Sequence, residues 1–202
     1  MTQESSQDPE QCTLSVSFDA QQLSSQLNWQ FEPNSLPWYG GNAGAILFNP
    51  KEQLSVEILA FGSKASGFDG FKVIECAILT RPQITRLTPG EAVRFASPSP
   101  FDGATGACVL MEGFSPEPAL GQSAFAERLR QPGYSMYGLQ SDGFLTVAKA
   151  PGRWDLSFYL TVELAFAGRE PVRRVYYFDP ESEVGDGGHP TDGGGRRTQP
   201  RK

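Results

Sequence analysis

The strongest constraint on this chain is a strict alternation that runs from Trp154 to Phe166. Trp154, Leu156, Phe158, Leu160, Val162, Leu164 and Phe166 share one parity, while Asp155, Ser157, Tyr159, Thr161, Glu163 and Ala165 share the other. A period of two held this long puts every large apolar side chain on one face of a strand, where a helix would scatter them around its axis. Ala167-Gly168-Arg169-Glu170-Pro171 then supplies turn residues and Val172 to Phe178 reads as a return strand. The spacing predicts a β-hairpin over 154–180 whose apolar face forms one wall of a core.

Upstream, the same reading finds short strands separated by turn chemistry. Cys12 to Phe18 alternates, with Cys12, Leu14, Val16 and Phe18 inward and Thr13, Ser15 and Ser17 outward, as a half-buried strand does. Leu27 to Phe31 is a weaker second run, and 33–42, with two prolines and Gly40-Gly41, reads as loop. Ala43–Phe48 and Leu54–Phe61 flank Asn49-Pro50-Lys51-Glu52 and are expected to form a hairpin. Phe71 to Thr80 is apolar on both parities apart from Lys72 and Glu75, which predicts a central strand covered on both faces. Short strands follow near Ile84–Leu87 and Ala92–Ala96 about a Thr88-Pro89-Gly90-Glu91 turn, and at Ala107–Glu112, with Phe114–Gly121 read as loop. Ser123 to Arg130 is the one helix candidate, with Phe125, Ala126 and Leu129 on a side. Tyr134–Gln140 and Phe144–Ala148 flank Ser141-Asp142-Gly143, whose glycine suits a positive φ. Ten to twelve short strands at this spacing predict an all-β fold, a single-domain antiparallel β-sandwich, and not βαβ units.

The ends carry almost no large apolar residues, so 1–11 and the Gly-rich 181–202 are expected to be disordered tails around a sandwich spanning 12–180. A net charge of −6 with scattered Lys and Arg argues against nucleic acid as a partner. No apolar run has the length of a membrane helix, and the N-terminal residues lack a basic region followed by an apolar one, so the expected location is the cytoplasm, with no membrane partner. Cys12, Cys76 and Cys108 sit in strand-like runs without metal-ligand spacing and are expected to be buried reduced thiols.

Catalytic machinery is sparse. The single histidine, His189, stands among glycines, which removes Ser-His-Asp and Cys-His arrangements from the folded part. Glu57, Glu75 and Glu163 each interrupt a strand and are read as solvent-facing, which leaves a carboxylate-based glycoside hydrolase as the remote alternative to a non-enzymatic protein. Two constellations could bind ligands. Trp38, Tyr39 and Asn42 would make a stacking platform for a glycan, unless Trp38 folds back as a plug. Asp69, Asp102 and Asp142, on Asp-Gly turns, and Asp179 would offer oxygen ligands to Ca²⁺ if those turns converge. Self-association through sheet edges is the expected partner mode.

The strand at Val16–Asp19, the segment Pro89-Gly90-Glu91-Ala92-Val93-Arg94-Phe95 and the closing Tyr176-Tyr177-Phe178-Asp179-Pro180 occur in an order similar to bacterial inclusion-body proteins of the PixA/AidA type. That resemblance implies an all-β cytoplasmic protein without established enzyme activity. The residues therefore point to a non-enzymatic β-sandwich with a binding or self-assembly role, the alternative being a carbohydrate- or Ca²⁺-binding module.

Overall fold

The computed structural model describes residues 11–32, 45–85, 94–116, 124–150, 152–178 and 181–184. Their strands are β1 (Gln11–Asp19), β2 (Asn28–Glu32), β3 (Ala45–Phe48), β4 (Gln53–Ser63), β5 (Phe68–Pro82), β6 (Ile84–Thr85), β7 (Arg94–Phe95), β8 (Cys108–Leu110), β9 (Phe114–Pro116), β10 (Tyr134–Ser141), β11 (Leu145–Thr146), β12 (Gly152–Phe166), β13 (Val172–Phe178) and β14 (Glu181–Val184). One helix, α1 (Ala124–Leu129), joins them. The expected all-β sandwich is present: sheet A runs β2-β1-β4-β10-β9 with β11 also on β4, and sheet B runs β3-β14-β12-β5-β8 with β13 also on β12.

The long alternation behaves as its period requires. Trp154, Leu156, Phe158, Leu160, Val162 and Leu164 are all buried on the inner face of β12, and β13 returns antiparallel beside it from Phe158↔Phe178 to Leu164↔Val172. Opposite them lie Leu14, Val16 and Phe18 of β1 and Leu54, Val56 and Ile58 of β4. Aromatic rings bridge the layers: Phe18 stacks on Tyr176 at 4.4 Å, and Trp29 on Phe178 at 5.1 Å. One side of the sandwich is closed by backbone, where Leu27 N–H donates to Tyr177 O at 3.1 Å and Tyr177 N–H donates to Ser25 O at 2.9 Å.

Several expectations are corrected. Ala45–Phe48 and Gln53–Ser63 do not pair as a hairpin; β3 runs parallel to β14 in sheet B, and β4 runs parallel to β1 in sheet A. The Asn49–Glu52 turn therefore carries the chain between layers, with Lys51 at φ 71°. Segment 114–116, read as loop, is edge strand β9, a place that tolerates Pro116. β10 and β11 follow one another along the same edge of β4, so 142–144 is an excursion within an interrupted strand, and Gly143 is not at positive φ. After β1 the chain makes a tight turn, Gln22 N–H donating to Asp19 O at 3.0 Å. Sheet B also continues past residue 180 into β14.

The first strand is covered on both faces and not half-buried. Ser15 and Ser17 are buried on the outward parity of β1, next in register to Glu57 and Leu59 of β4. The cover is α1, whose Phe125 and Ala126 pack on Leu59. Ser15 Oγ–H donates to the Glu57 carboxylate, whereas Ser17 Oγ has no partner among the described groups. Removing a donor from a buried carboxylate costs more than removing an unused hydroxyl. Ser15→Ala is therefore expected to cost about 2 kcal/mol in urea unfolding, with Ser17→Ala neutral or slightly stabilising.

Candidate functional site

The site is created by the strand that was expected to be covered on both sides. In β5 the inner parity changes along the strand: Phe71 and Val73 face the core, then Cys76, Ile78 and Thr80 do. The change is made by β-bulges. Thr161 pairs Glu75 and Val162 pairs Val73, which leaves Ile74 as the extra residue; Ala165 pairs Gly70 and Phe166 pairs Phe68, which leaves Asp69. The run is apolar on both parities because its register shifts, and its outer side is open, with Ile74 41% exposed and Leu79 39% exposed.

The other long edge of β5 is paired to β8 only at Ala77–Leu79. Met111 N–H donates to Cys76 O at 2.9 Å, and the chain then turns away through Gly113 to join sheet A as β9. Gly113 sits at φ 75°, a conformation that favours glycine, and a Cβ there would lie 2.5 Å from Asp142 Oδ2, so the carboxylate would have to move for any other residue. Because the corner leaves sheet B at Cys76, the edge of β5 from Phe68 to Glu75 has no strand beside it among the described residues.

Two adjoining grooves meet at this part of β5. One, of about 560 Å³, is walled by Phe71 to Cys76, Leu110 to Phe114 and Leu139. The other, of about 400 Å³, shares Phe71, Lys72 and Leu139 with it and is completed by Tyr137, Pro116, Asp69 and the end of β12. Their floor is apolar, and Leu110 is 53% exposed at the mouth. Asp69, Glu75 and Glu112 stand on the exposed rim. Lys72 is in register with Glu163, which is already paired to Arg173 at 3.1 Å.

The residues singled out from sequence fall in several places. Asp69 lines the second groove, near the C-terminal end of β4, where Phe68 lies against Gly62. Asp102 and Asp142 lie toward the other end of β4: Asp102 N–H donates to Thr146 O at 2.8 Å, and Asp142 N–H donates to Gly113 O at 2.9 Å. Among the described residues, no three His, Cys, Asp or Glu side chains lie close enough to share a metal ion. Trp38, Tyr39, Asn42, Asp179 and His189 lie outside the described residues. Glu75 and Glu163 face outward as expected, but Glu57 is buried, because Leu59 and Phe61 on its parity require the cover that α1 provides.

The cysteines divide. All three are free; Cys12 and Cys76 are buried, and Cys108 is exposed on β8, against the expectation of three core thiols. Burial pushes the Cys76 thiol up from 9.0 to about 12, and burial with the nearby Glu52 carboxylate pushes Cys12 higher still. A thiol whose pKa is raised by folding stabilises the fold fully below its unfolded value and loses that contribution as pH climbs toward the folded one. Stability should therefore fall between pH 9 and about 12, by about 1.4 kcal/mol per pH unit for each buried thiol. Urea melts of wild type and Cys76→Ala across that window check this, the variant showing the shallower fall. At pH 8 a maleimide should label Cys108 alone until urea exposes the other two.

Sequence reasoning missed the grooves, although a signal was present. Lys72 and Glu75 are three apart, an odd spacing that a regular one-faced strand cannot place on a single face and that a bulge between them can. Among the described residues, no helix is long and apolar enough to cross a membrane. No protein-family model matches the chain, and no curated protein matches it.

Proposed function

We propose that this chain is a non-catalytic binding protein whose ligand occupies the cleft beside β5. The observation that carries this reading is an unpaired strand edge recessed between two sheets, with apolar side chains exposed in the recess. A concave apolar surface bearing a few charged groups is the usual form of a ligand site. Asp69, Glu75 and Glu112 lie on its exposed rim and the half-buried Glu163 is held by Arg173, whereas the buried carboxylates Glu52 and Glu57 line neither groove. Acid–base catalysis draws on carboxylates held in perturbing, secluded surroundings, so this division favours binding over turnover. The three free thiols suit a reducing compartment, and we place the protein in the cytoplasm on that ground.

The test is a small-molecule fragment library of amines, acids and neutral aromatics added to the ¹⁵N-labelled protein. Amide shifts concentrated on Phe71–Cys76, Leu110–Phe114 and Leu139 support the reading. Shifts that concentrate on Trp38–Asn42, or that are absent throughout, would sink it. Leu139→Trp, which fills the shared wall of both grooves, should abolish the shifts while keeping the fold.

Self-association is a second reading, carried by the outer face of sheet B, which meets the cleft at Leu110. On the outer face of sheet B, Leu110, Ala77, Tyr159 and Tyr177 form one row across four strands, flanked by Leu79 and Val175. The two tyrosines stack at 6.0 Å, and of these residues only Ala77 is buried. Exposed apolar surface of this kind is common at contacts between copies. Sedimentation should show an association weakened by Tyr177→Lys; a strict monomer at high concentration removes this reading.

A further inference from the structure

We propose that the occupant of the cleft is a short extended peptide that alternates apolar residues with lysine or arginine and adds to β5 as a strand. This rests on the cleft being the binding site, and four features of the cleft select the peptide.

The edge itself comes first. Alternation within the pleat couples the direction of a side chain to that of its backbone groups. Cys76 and Thr80, whose side chains point inward, direct backbone groups to the β8 side: Cys76 O accepts from Met111 N–H, and Thr80 N–H donates to Ala107 O at 2.7 Å. Phe71 and Val73 share that inward parity, so their N–H and C=O groups point to the same side, beyond the place where β8 ends. A peptide backbone laid there would extend sheet B in line with β8, which is recognition by strand addition.

The walls then dictate the sequence of the guest. Alternate side chains of an added strand would point into the grooves, against Phe71, Val73, Met111, Phe114 and Leu139, and these positions call for apolar residues. The intervening side chains would point outward, toward the rim of Asp69, Glu75 and Glu112. No ion pair holds these three among the described residues, and they outnumber Lys72, the one cation in the lining of the two grooves. An acidic rim of this kind favours cationic residues at the outward positions.

Length is set by the bulges. Regular pairing between the Asp69 and Ile74 bulges covers only Gly70 to Val73, and bulges twist a strand away from open-ended stacking. The edge therefore suits a short segment better than an unlimited array of copies. From Phe68 to Glu75 it spans eight residues, or roughly 23 Å of strand, enough for a heptapeptide.

The test uses the full chain, ¹⁵N-labelled, and three capped heptapeptides read by amide shifts and fluorescence anisotropy. The first alternates valine and lysine, the second alternates valine and glutamate, and the third is the first with alternate amides N-methylated along one edge. The lysine peptide should bind and shift Phe71–Glu75. N-methylation should weaken it about tenfold by removing two edge hydrogen bonds. Glu75→Lys with Glu112→Lys, both exposed and so compatible with folding, should weaken it about fivefold, and raised salt should narrow that difference. Equal binding of the N-methylated peptide overturns strand addition, and equal binding of the glutamate peptide overturns the charge preference. If fragments shift the cleft amides but no peptide does, the peptide class is wrong and the cleft stands. If neither does, both readings fall together.

Discussion

Leu160→Asp is expected to leave no cooperative unfolding transition. Leu160 is fully buried at the centre of β12, in register with Cys76 on β5 and Tyr176 on β13, and neither neighbour carries a positive charge. The substitution removes a packed side chain, worth about 2–5 kcal/mol, and places a carboxylate where it must either stay charged without a partner or take up a proton. Together these exceed what a domain of ordinary stability, about 5–15 kcal/mol, can lose and still fold reliably. Circular dichroism melting and the dispersion of amide proton shifts would report it. Leu160→Ala, which lacks the charge, should remain folded and lose about 3 kcal/mol. A soluble Leu160→Asp protein with a sharp melt would contradict the burial of this face.

Trp154→Ala should be the most damaging of the simple truncations. The indole is fully buried, and its Nε1–H donates to Ser97 O at 2.7 Å, tying the start of β12 to the segment after β7. Loss of the ring leaves a large cavity at a cost of about 3–5 kcal/mol, and the Ser97 carbonyl is left with no donor in the cavity. Trp154→Phe separates the two contributions, because it keeps most of the volume but not the hydrogen bond; it should cost about 1–2 kcal/mol. Urea unfolding of the three proteins measures both steps. Equal stability of wild type and Trp154→Phe would show that the hydrogen bond contributes nothing net.

What could be read from residues alone, and what could not, follows the range of the interactions involved. The β12–β13 hairpin was legible because its information is local: one parity, one turn, one return strand. The helix at Ala124–Leu129 was legible for the same reason. The pairing of β3 and β4 was not, because each takes its partner from far away, β3 from β14 and β4 from β1 and β10. The local Asn49-Pro50 turn signal was correct, but a turn does not say whether the chain returns to the same sheet. Ser15, Ser17 and Glu57 looked solvent-facing because their own parity is polar, and only Leu59 and Phe61 hinted at a cover. The cleft depends on where β8 parts from β5, which no window of sequence contains.

The distant partnerships have a consequence for how the chain is made. β3 emerges at residues 45–48, yet its partner β14 lies at 181–184, and β5 waits for β12 to supply its long antiparallel neighbour. At synthesis rates of about 5–20 residues per second, β3 stays unpaired on the order of ten seconds. β1, β2 and β4 of sheet A are also made early, so their apolar inner residues precede by a similar interval the β12 residues they pack against. Productive folding therefore requires that these apolar segments not be captured by other chains before the last quarter of the sequence arrives.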